Sequence, residues 1–262
     1  MRLQTTQKQV YHLWDELLTI PPSAPEQALM RLLDVITGWI GADQAHWVAM
    51  LRSPPADPEP EDSVRAWRVC ASRSLHPYTK AQIALLKSAR RQTLDEGDTT
   101  RALQETAGTY RTHRLHDGLI AFDSFCRTPY YRVHFKNFGI VDRLWSICPV
   151  GEDAEAYFFF DLIDTRRRFS QEDADIIATA LRPLGWLQRQ LFLGHGFLGA
   201  NKPLTHTQRR IVHLLLTGKS EREIATEARQ NIVTTHKHIE TIYRVFGVGS
   251  RAALMALWFS GG

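Results

Sequence analysis

Cysteine is scarce in this chain of 262 residues, which contains three: Cys70, Cys126 and Cys148. An odd number of thiols, widely spaced and without a Cys-x-x-Cys or Cys/His metal spacing, excludes a disulfide framework and the usual zinc sites. Incidental or buried thiols are the simpler interpretation, and a redox sensor is the alternative. We therefore expect a reducing, cytoplasmic compartment, with no metal and no cofactor.

Long apolar runs are also lacking. No segment approaches the roughly 20 apolar residues of a membrane span, and charges throughout residues 1–18 are unlike a signal peptide. The P-loop, GxSxG, HExxH and Rossmann glycine motifs are absent, and the helical N-terminal pattern disfavours a receiver domain. The sequence thus predicts a protein that is neither an enzyme nor membrane-bound.

Three short helical patterns follow one another in the last sixty or so residues. The first begins at Thr205, which is suited to an N-cap. The second begins at Ser220, where Glu223 three residues on gives the spacing of a capping box. The third is capped by Asn231 and ends at Gly247. Two helices joined by a tight turn are thereby predicted at the C-terminal end.

Such an arrangement, with a polar outer face on its last helix, places an α-helix in the major groove of DNA. The third helix has one apolar face, formed by Thr235, Ile239, Ile242 and Phe246. Side chains on the opposite side are free to meet bases and phosphates. Together with two helix-start residues, the candidate DNA-binding residues are Thr205, Ser220, Val233, Thr234, His236, Lys237, Glu240, Thr241 and Arg244.

The positive charge of the chain is concentrated in the same region. Residues 201–262 contain nine Lys and Arg against four Glu, a net charge of +5, whereas the whole chain is +4. Residues 1–200 are nearly neutral, with 23 basic against 24 acidic side chains. A basic excess on one small region favours contact with phosphate.

These residues resemble the DNA-binding domain of LuxR-type transcription regulators, without gaps from Leu204 to Arg251. The resemblance implies a four-helix helix-turn-helix fold, double-stranded DNA as partner and a homodimer on a two-fold site, with RNA polymerase as a further candidate partner. The positions that carry it are Leu204-Thr205, Leu214-Leu215, Gly218, Ser220, Glu223-Ile224-Ala225, Thr234, His238, Gly247-Val248 and Arg251.

The predicted reading face departs from the family pattern. Thr235-His236 stand where the family usually has Val-Lys, so that a side chain mostly neutral at pH 7 replaces a cation. Glu240 would repel phosphate unless it accepts from a cytosine amino group or pairs with Lys237 or Arg244. We therefore expect either an unusual operator or weak DNA binding.

The first 200 residues alternate between helical and strand patterns. The predicted elements are helices over 4–18 and 25–40, strands over 44–51 and 64–75 separated by a proline-rich acidic loop over 53–62, a helix over 78–95, and a hairpin of 140–150 and 156–163. A long helix over 170–192, capped by Ser170, should kink at Pro183 and Gly185.

The predicted fold class is α+β. An N-terminal α/β sensor domain with a central antiparallel sheet (residues 1–193) is joined by a linker (194–203) to the all-α helix-turn-helix domain (204–262). Residues 139–181 are similar to the last hairpin and helix of GAF-type or autoinducer-binding-type sensors. The Tyr, Trp and Asp-Pro signature of acyl-homoserine-lactone binders is not evident in register, so another small organic ligand is favoured.

Aromatic residues near the predicted sheet are candidates for lining a ligand pocket, although core packing is the simpler explanation for any single one of them. These candidates are Trp47, Trp67, Tyr130, Tyr131, Phe135 and Trp145.

The function predicted is a DNA-binding transcription regulator whose sensor domain responds to a small molecule, as in quorum sensing. The alternative is a protein-interaction regulator that binds DNA weakly and acts by forming mixed dimers. In the last helix, Leu254, Leu257 and Trp258 either add a dimer contact or pack on their own domain.

Overall fold

The computed structural model describes residues 2–52, 67–89 and 99–259. These residues form two compact units, of which the first comprises the chain up to Leu13 and Met30–Pro183. The second comprises Trp14–Leu29 and the chain from Leu184 onward. The predicted loop over 53–62 lies outside the described residues, as do parts of the predicted strand over 64–75 and helix over 78–95. No helix in the described ranges is long and apolar enough to cross a membrane.

The chain begins with two long helices at the predicted positions, α1 (Arg2–Thr19) and α2 (Pro25–Ile40). Proline at the first position of α2 needs no hydrogen-bond partner for a backbone N–H, which suits a helix start. Shorter helices follow, namely α3 (Lys80–Ala89), α4 (Thr99–Gln104), α5 (Phe122–Phe125) and α6 (Pro129–His134), with a 3-10 turn over Lys136–Phe138.

Five strands in the described part of the first unit form one antiparallel sheet, in the order β2-β1-β5-β4-β3. They are β1 (Gln44–Arg52), β2 (Trp67–Ser74), β3 (Arg111–Arg114), β4 (Ile140–Gly151) and β5 (Ala154–Ile163). The predicted hairpin is β4–β5, with its turn at residues 152–153. Both that hairpin and the α+β class with an antiparallel sheet are confirmed.

The two faces of the sheet carry different side chains, because successive residues of a strand point to opposite faces. On one face Trp47 pairs with Phe158, and both are buried. Helix α7 (Gln171–Leu181) packs against β3 and β4. On the other face His46 pairs with Phe159, and Arg143 pairs with Asp161. This second face is therefore unusually polar for a buried surface.

The long helix predicted over 170–192 is wrong, because the chain forms two helices there, α7 and α8 (Gly185–His195). Ser170 caps α7 as predicted, in a capping box with Asp173. Helix α7 ends at Leu181, two residues before Pro183, whose ring cannot be accommodated in a continuing helix. The predicted kink is thus a complete break.

Four helices form the C-terminal part of the second unit: α9 (His206–Leu215), α10 (Glu221–Ala228), α11 (Ile232–Phe246) and α12 (Arg251–Phe259). The caps predicted at Thr205, Ser220 and Asn231 are all confirmed, since each side chain accepts from the backbone N–H three residues on. Gly247 ends α11 with a φ of 64°, as the sequence predicted.

Helix α12 contributes to the core of its own unit. Leu254 is fully buried and Trp258 nearly so, and the Trp258 ring packs on Phe246 at 5.8 Å between centroids. Leu254 and Trp258 therefore pack on their own domain, and a dimer contact by this helix stays a prediction. The buried residues of this core are Leu193, Leu204, Ile211, Val212, Leu214, Leu215, Ile224, Ala228, Ile239, Ile242, Val245, Phe246, Leu254 and Trp258.

Candidate functional site

A cavity of about 250 Å³ lies on the polar face of the sheet in the first unit. Strands β1, β2, β4 and β5 form its floor, and residues of α3, α6 and the 3-10 turn line its other walls. The volume corresponds to about eight water molecules. The lining side chains are His46, Val48, Met50, Val69, Ser72, Ser74, Tyr78, Leu86, Tyr130, His134, Phe138, Arg143, Tyr157 and Phe159.

A buried ion pair closes the floor of the cavity. Arg143 and Asp161 are directly opposite each other on β4 and β5. Arg143 Nε and Nη2 donate to the two carboxylate oxygens of Asp161, at 2.5 and 2.8 Å. The guanidinium also lies 4.5 Å from the ring centroid of Phe135 and 5.1 Å from that of Phe159. A charge removed from water in this way is neutralised by its partner.

Histidine and tyrosine extend this pair into a hydrogen-bonded network. His46 Nε2 lies 3.5 Å from Asp161 Oδ2 and 3.1 Å from the Tyr78 hydroxyl. His46 Nδ1 lies 2.8 Å from Ser74 Oγ. The polar atoms of the floor therefore hold one another in fixed orientations, which suits a site that binds a rigidly positioned group.

Burial controls the ionisation of the polar lining. It raises the pKa of Tyr78 to about 12 and lowers the pKa of His134 to about 4, where the Arg143 charge adds to the effect. Burial alone would raise the pKa of Asp161, but Arg143 outweighs it and holds that pKa at about 2. At neutral pH, Tyr78 and His134 are uncharged, and the charges of Arg143 and Asp161 cancel.

The residues predicted to bind a ligand are placed differently from one another. Tyr130 lines the cavity. Tyr131 packs against a hydrophobic cluster that includes Leu115, Phe125 and Ile147. Three others, Trp67, Phe135 and Trp145, are buried within that cluster. Trp47 is fully buried on the opposite face of the sheet. The aromatic residues in the sequence thus predicted the hydrophobic core around the cavity better than they predicted the residues that line it.

The sequence analysis missed the polar floor. His46, Arg143 and Asp161 come from three strands, Tyr78 comes from the segment after β2, and the four are separated by up to 115 positions along the chain. One local signal was available, because Arg143 and Asp161 both fall inside the predicted apolar hairpin. A charged residue in each strand of a buried hairpin indicates a cross-strand pair.

A second candidate surface is formed by α10 and α11. The two helices are joined by a short turn in which Arg229 adopts the left-handed conformation, with a φ of 56°. The predicted face of α11 is accessible: Val233, His236, Lys237, Glu240 and Arg244 are exposed, and Thr234 and Thr241 are half-buried. This surface is called the α11 face below.

Several candidate residues of this region also have structural partners. The hydroxyls of Thr205 and Ser220 are engaged in their helix caps. Thr241 Oγ1 donates to the carbonyl oxygen of Lys237 at 2.8 Å. The side chains available for contacts outside the unit are chiefly those of Val233, Lys237 and Arg244.

His236 and Glu240 depart from the predicted arrangement. His236 Nδ1 lies 3.0 Å from Glu221 Oε2, and its Nε2 lies 3.5 Å from Glu240 Oε1. Glu240 therefore pairs with His236 rather than with Lys237 or Arg244, because residues four apart on a helix are neighbours. The hydrogen bond that Glu221 accepts from the ring, with a smaller contribution from Glu240, raises the pKa of His236. This environment shifts His236 toward the charged form, in the direction opposite to a mostly neutral ring.

Comparisons with known proteins show similarity of fold at low sequence identity. No protein-family model matches the chain, and no curated protein matches it. The structure of SdiA in complex with octanoyl-rac-glycerol is similar, with a TM-score of 0.50 and 10% identity, over 99% of this chain and 95% of that chain.

Two further structures give lower scores. A crystal structure of Escherichia coli SdiA has a TM-score of 0.43 and 11% identity, over 95% of each chain. The LBD domain of VqsR from Pseudomonas aeruginosa has a TM-score of 0.44 and 14% identity, over 69% of this chain and 94% of that chain. The chain therefore shares the fold of the SdiA complex over nearly its whole length.

Proposed function

We propose that the protein is a transcription regulator that binds double-stranded DNA through the α11 face and a small organic molecule in the cavity of the first unit. One observation carries the DNA-binding part: a capped short helix, a tight turn and a second helix with an exposed polar face. This is the geometry by which a helix enters the major groove. The excess of Lys and Arg in residues 201–262 supports it.

The ligand we propose is an uncharged molecule with a hydrogen-bond acceptor and an apolar part. Asp161 takes two of the five N–H donors of Arg143, and a ligand carbonyl or hydroxyl is a suitable acceptor for others. Val48, Met50 and Leu86 offer apolar contact. A charged ligand would find no net opposite charge in the pair of Arg143 and Asp161, because these two charges cancel. SdiA, which shares the fold, is solved with the uncharged octanoyl-rac-glycerol.

The ligand acts by changing the population of the DNA-competent form. The domain division we propose is a sensor domain over 1–193, a linker over 194–203 and a DNA-binding domain over 204–262. We further propose that the protein works in the cytoplasm without enzymatic activity and as a homodimer, because two copies reading a two-fold site double the contacts made by one α11 face. RNA polymerase is a further proposed contact.

The DNA-binding proposal is tested with the full chain. A preferred site is selected from random DNA, and binding to it is then measured by fluorescence anisotropy across a range of salt concentrations. We expect affinity to fall steeply with salt. Lys237→Ala or Arg244→Ala should weaken binding and reduce the salt slope by about 0.9 for each phosphate that the variant no longer neutralises.

Lys80→Ala is the matched control, since Lys80 is an exposed cation at the start of α3 in the first unit. It should leave both the affinity and the slope unchanged. Failure of the selection to enrich any sequence would overturn the DNA-binding proposal.

The ligand proposal is tested by thermal shift, because a ligand that binds the folded state raises the melting temperature. Octanoyl-glycerol should stabilise the full chain, and octanoate, which has the same acyl length but a negative charge, should not. Equal stabilisation by both would contradict an uncharged-ligand site.

A second candidate function is a protein-interaction regulator that binds DNA weakly and acts through mixed dimers. The observation in its favour is the pair of carboxylates, Glu221 and Glu240, next to the α11 face. Carboxylates repel phosphate, so this function would give a chain with no preferred DNA site that still forms a stable complex with a related regulator. Native mass spectrometry of such mixtures distinguishes the two functions.

A further inference from the structure

The α11 face includes a cluster of three titratable side chains, Glu221, His236 and Glu240, which we call the carboxylate-histidine cluster. Glu221 is the first residue of α10, and Glu240 lies one turn beyond His236 on α11. Each of the two carboxylates is next to a different ring nitrogen of His236, at 3.0 and 3.5 Å. All three side chains are about half exposed, so both solvent and a bound molecule can reach them.

This geometry fits the protonated form of His236 better than the neutral form. A neutral imidazole has one N–H and can donate to one carboxylate only, whereas an imidazolium donates from both nitrogens. Both carboxylates can therefore accept a hydrogen bond from the ring only when His236 is protonated. The raised pKa of His236 agrees with this arrangement.

The charged groups in contact with the ring are Glu221 and Glu240. Other cations near α11 have partners of their own: Arg210 of α9 donates to the carbonyl of Glu227, Arg251 of α12 donates to carbonyls that precede α10, and Lys219 pairs with Glu227. The remaining titratable or charged side chains on these helices are His206, Arg209, His213, Arg222, Glu223, Lys237, His238, Tyr243 and Arg244.

We propose that DNA binding by the α11 face takes up a proton at His236. This inference rests on the proposed DNA-binding function. With the ring protonated, one positive charge offsets two carboxylates beside the surface that meets phosphate, and the cluster has a net charge of −1. With the ring neutral, the net charge is −2 at the same place. Phosphates raise the free energy of the second state more than that of the first, so DNA favours the protonated ring.

The experiment measures the affinity of the full chain for its selected DNA site between pH 6 and 8.5 at constant ionic strength. We expect the dissociation constant to rise with pH, by about tenfold for each unit by which DNA raises the pKa of His236. His236→Arg keeps the charge at every pH, so its binding should stay tight and independent of pH. His236→Gln should bind weakly at every pH.

Two further variants sharpen the test. Glu240→Gln removes one carboxylate, so we expect tighter binding at pH 8.5. The pH dependence should move to lower pH, because one of the groups that raise the pKa of His236 is lost. His206→Gln is the matched control, because His206 is an exposed histidine at the start of α9 and lies outside the cluster. It should keep the pH dependence of the natural chain.

The possible outcomes are distinguishable. Absence of DNA binding at every pH overturns the proposed function and this inference with it. Binding that does not change with pH, or a pH dependence that persists in His236→Gln, overturns the inference alone. Weak binding by His236→Arg also overturns it, since the ring itself rather than its charge would then be required.

Discussion

Polar side chains stabilise the two units at different ranges along the chain. In the first unit, buried pairs join distant residues: Arg143 binds Asp161 from 18 positions away, and Arg111 binds Glu155 from 44. In the second unit, the main polar bonds at the helix starts are local. Thr205, Ser220 and Asn231 each accept from a backbone N–H three residues on.

This difference predicts which substitutions destabilise each unit most. A buried pair between strands exists only when the whole sheet is formed, and removing one partner leaves a charge without water or a counterion. A helix cap forms within one turn and stays near solvent, so its loss costs little beyond its own hydrogen bond. Loss of a buried charge in the first unit should therefore destabilise strongly, whereas loss of a helix cap in the second should destabilise weakly.

The largest expected effect is that of breaking the pair beneath the cavity. Arg143→Met should lower the free energy of unfolding by about 3–5 kcal/mol, because Asp161 stays buried and unpaired. Urea unfolding measures this. The matched control is Arg52→Met at the exposed pair of Arg52 with Asp153, where a cost of about 0–1 kcal/mol is expected. Equal costs at the two pairs would contradict the distinction drawn between buried and exposed pairs.

A smaller effect is expected from His134, a half-buried histidine that lines the cavity. The folded-state pKa of His134 is about 4, below the unfolded value of about 6.5, so the unfolded chain binds the extra proton first. The free energy of unfolding should therefore fall as pH decreases from about 6.5 to 4, by roughly 3 kcal/mol in total. Unfolding of the natural chain and of His134→Gln in parallel measures the contribution. An unchanged pH dependence in the variant would contradict it.

The smallest expected effect tests the second unit. Thr235 is fully buried in α11, and its hydroxyl finds no hydrogen-bond partner in the described part of the chain. Thr235→Val has nearly the same shape and removes that hydroxyl, so we expect the free energy of unfolding to rise by about 1–2 kcal/mol. Thermal or urea unfolding measures this. Destabilisation would show that the hydroxyl is in fact satisfied, for example by a buried water.

Local signals explain which parts of the fold were predictable. Helix α2 was placed at Pro25–Ile40 as observed, because a proline start and a 3.6-residue apolar period coincide there. The β4–β5 hairpin was equally clear from two apolar runs around a turn. The helices α5 and α6 were not predicted, since four and six residues are too few to show a period.

The candidate sites were predictable to different degrees for the same reason. On α11, a period of 3.6 residues sorts buried from exposed positions, and the predicted face is the exposed one. For the cavity, the sequence does not distinguish the location of Trp47 from that of Tyr130. Tyr130 lines the cavity, whereas Trp47 is buried elsewhere. Strand pairing decides which face of the sheet Trp47 occupies, and a shift of one residue in register would exchange the faces. Tyr130 lies on α6, and it lines the cavity only because that helix packs over the sheet.

The sequence by itself determined the helices of the second unit, their caps and the exposed side of α11, because these depend on hydrogen bonds and periodicity within a few residues. Only the tertiary structure decided the floor of the cavity, where Arg143 and Asp161 neutralise each other and His46 joins them. It also decided that His236 lies between Glu221 and Glu240. Such groups interact through space, so their charge states follow from neighbours that the linear order of residues does not reveal.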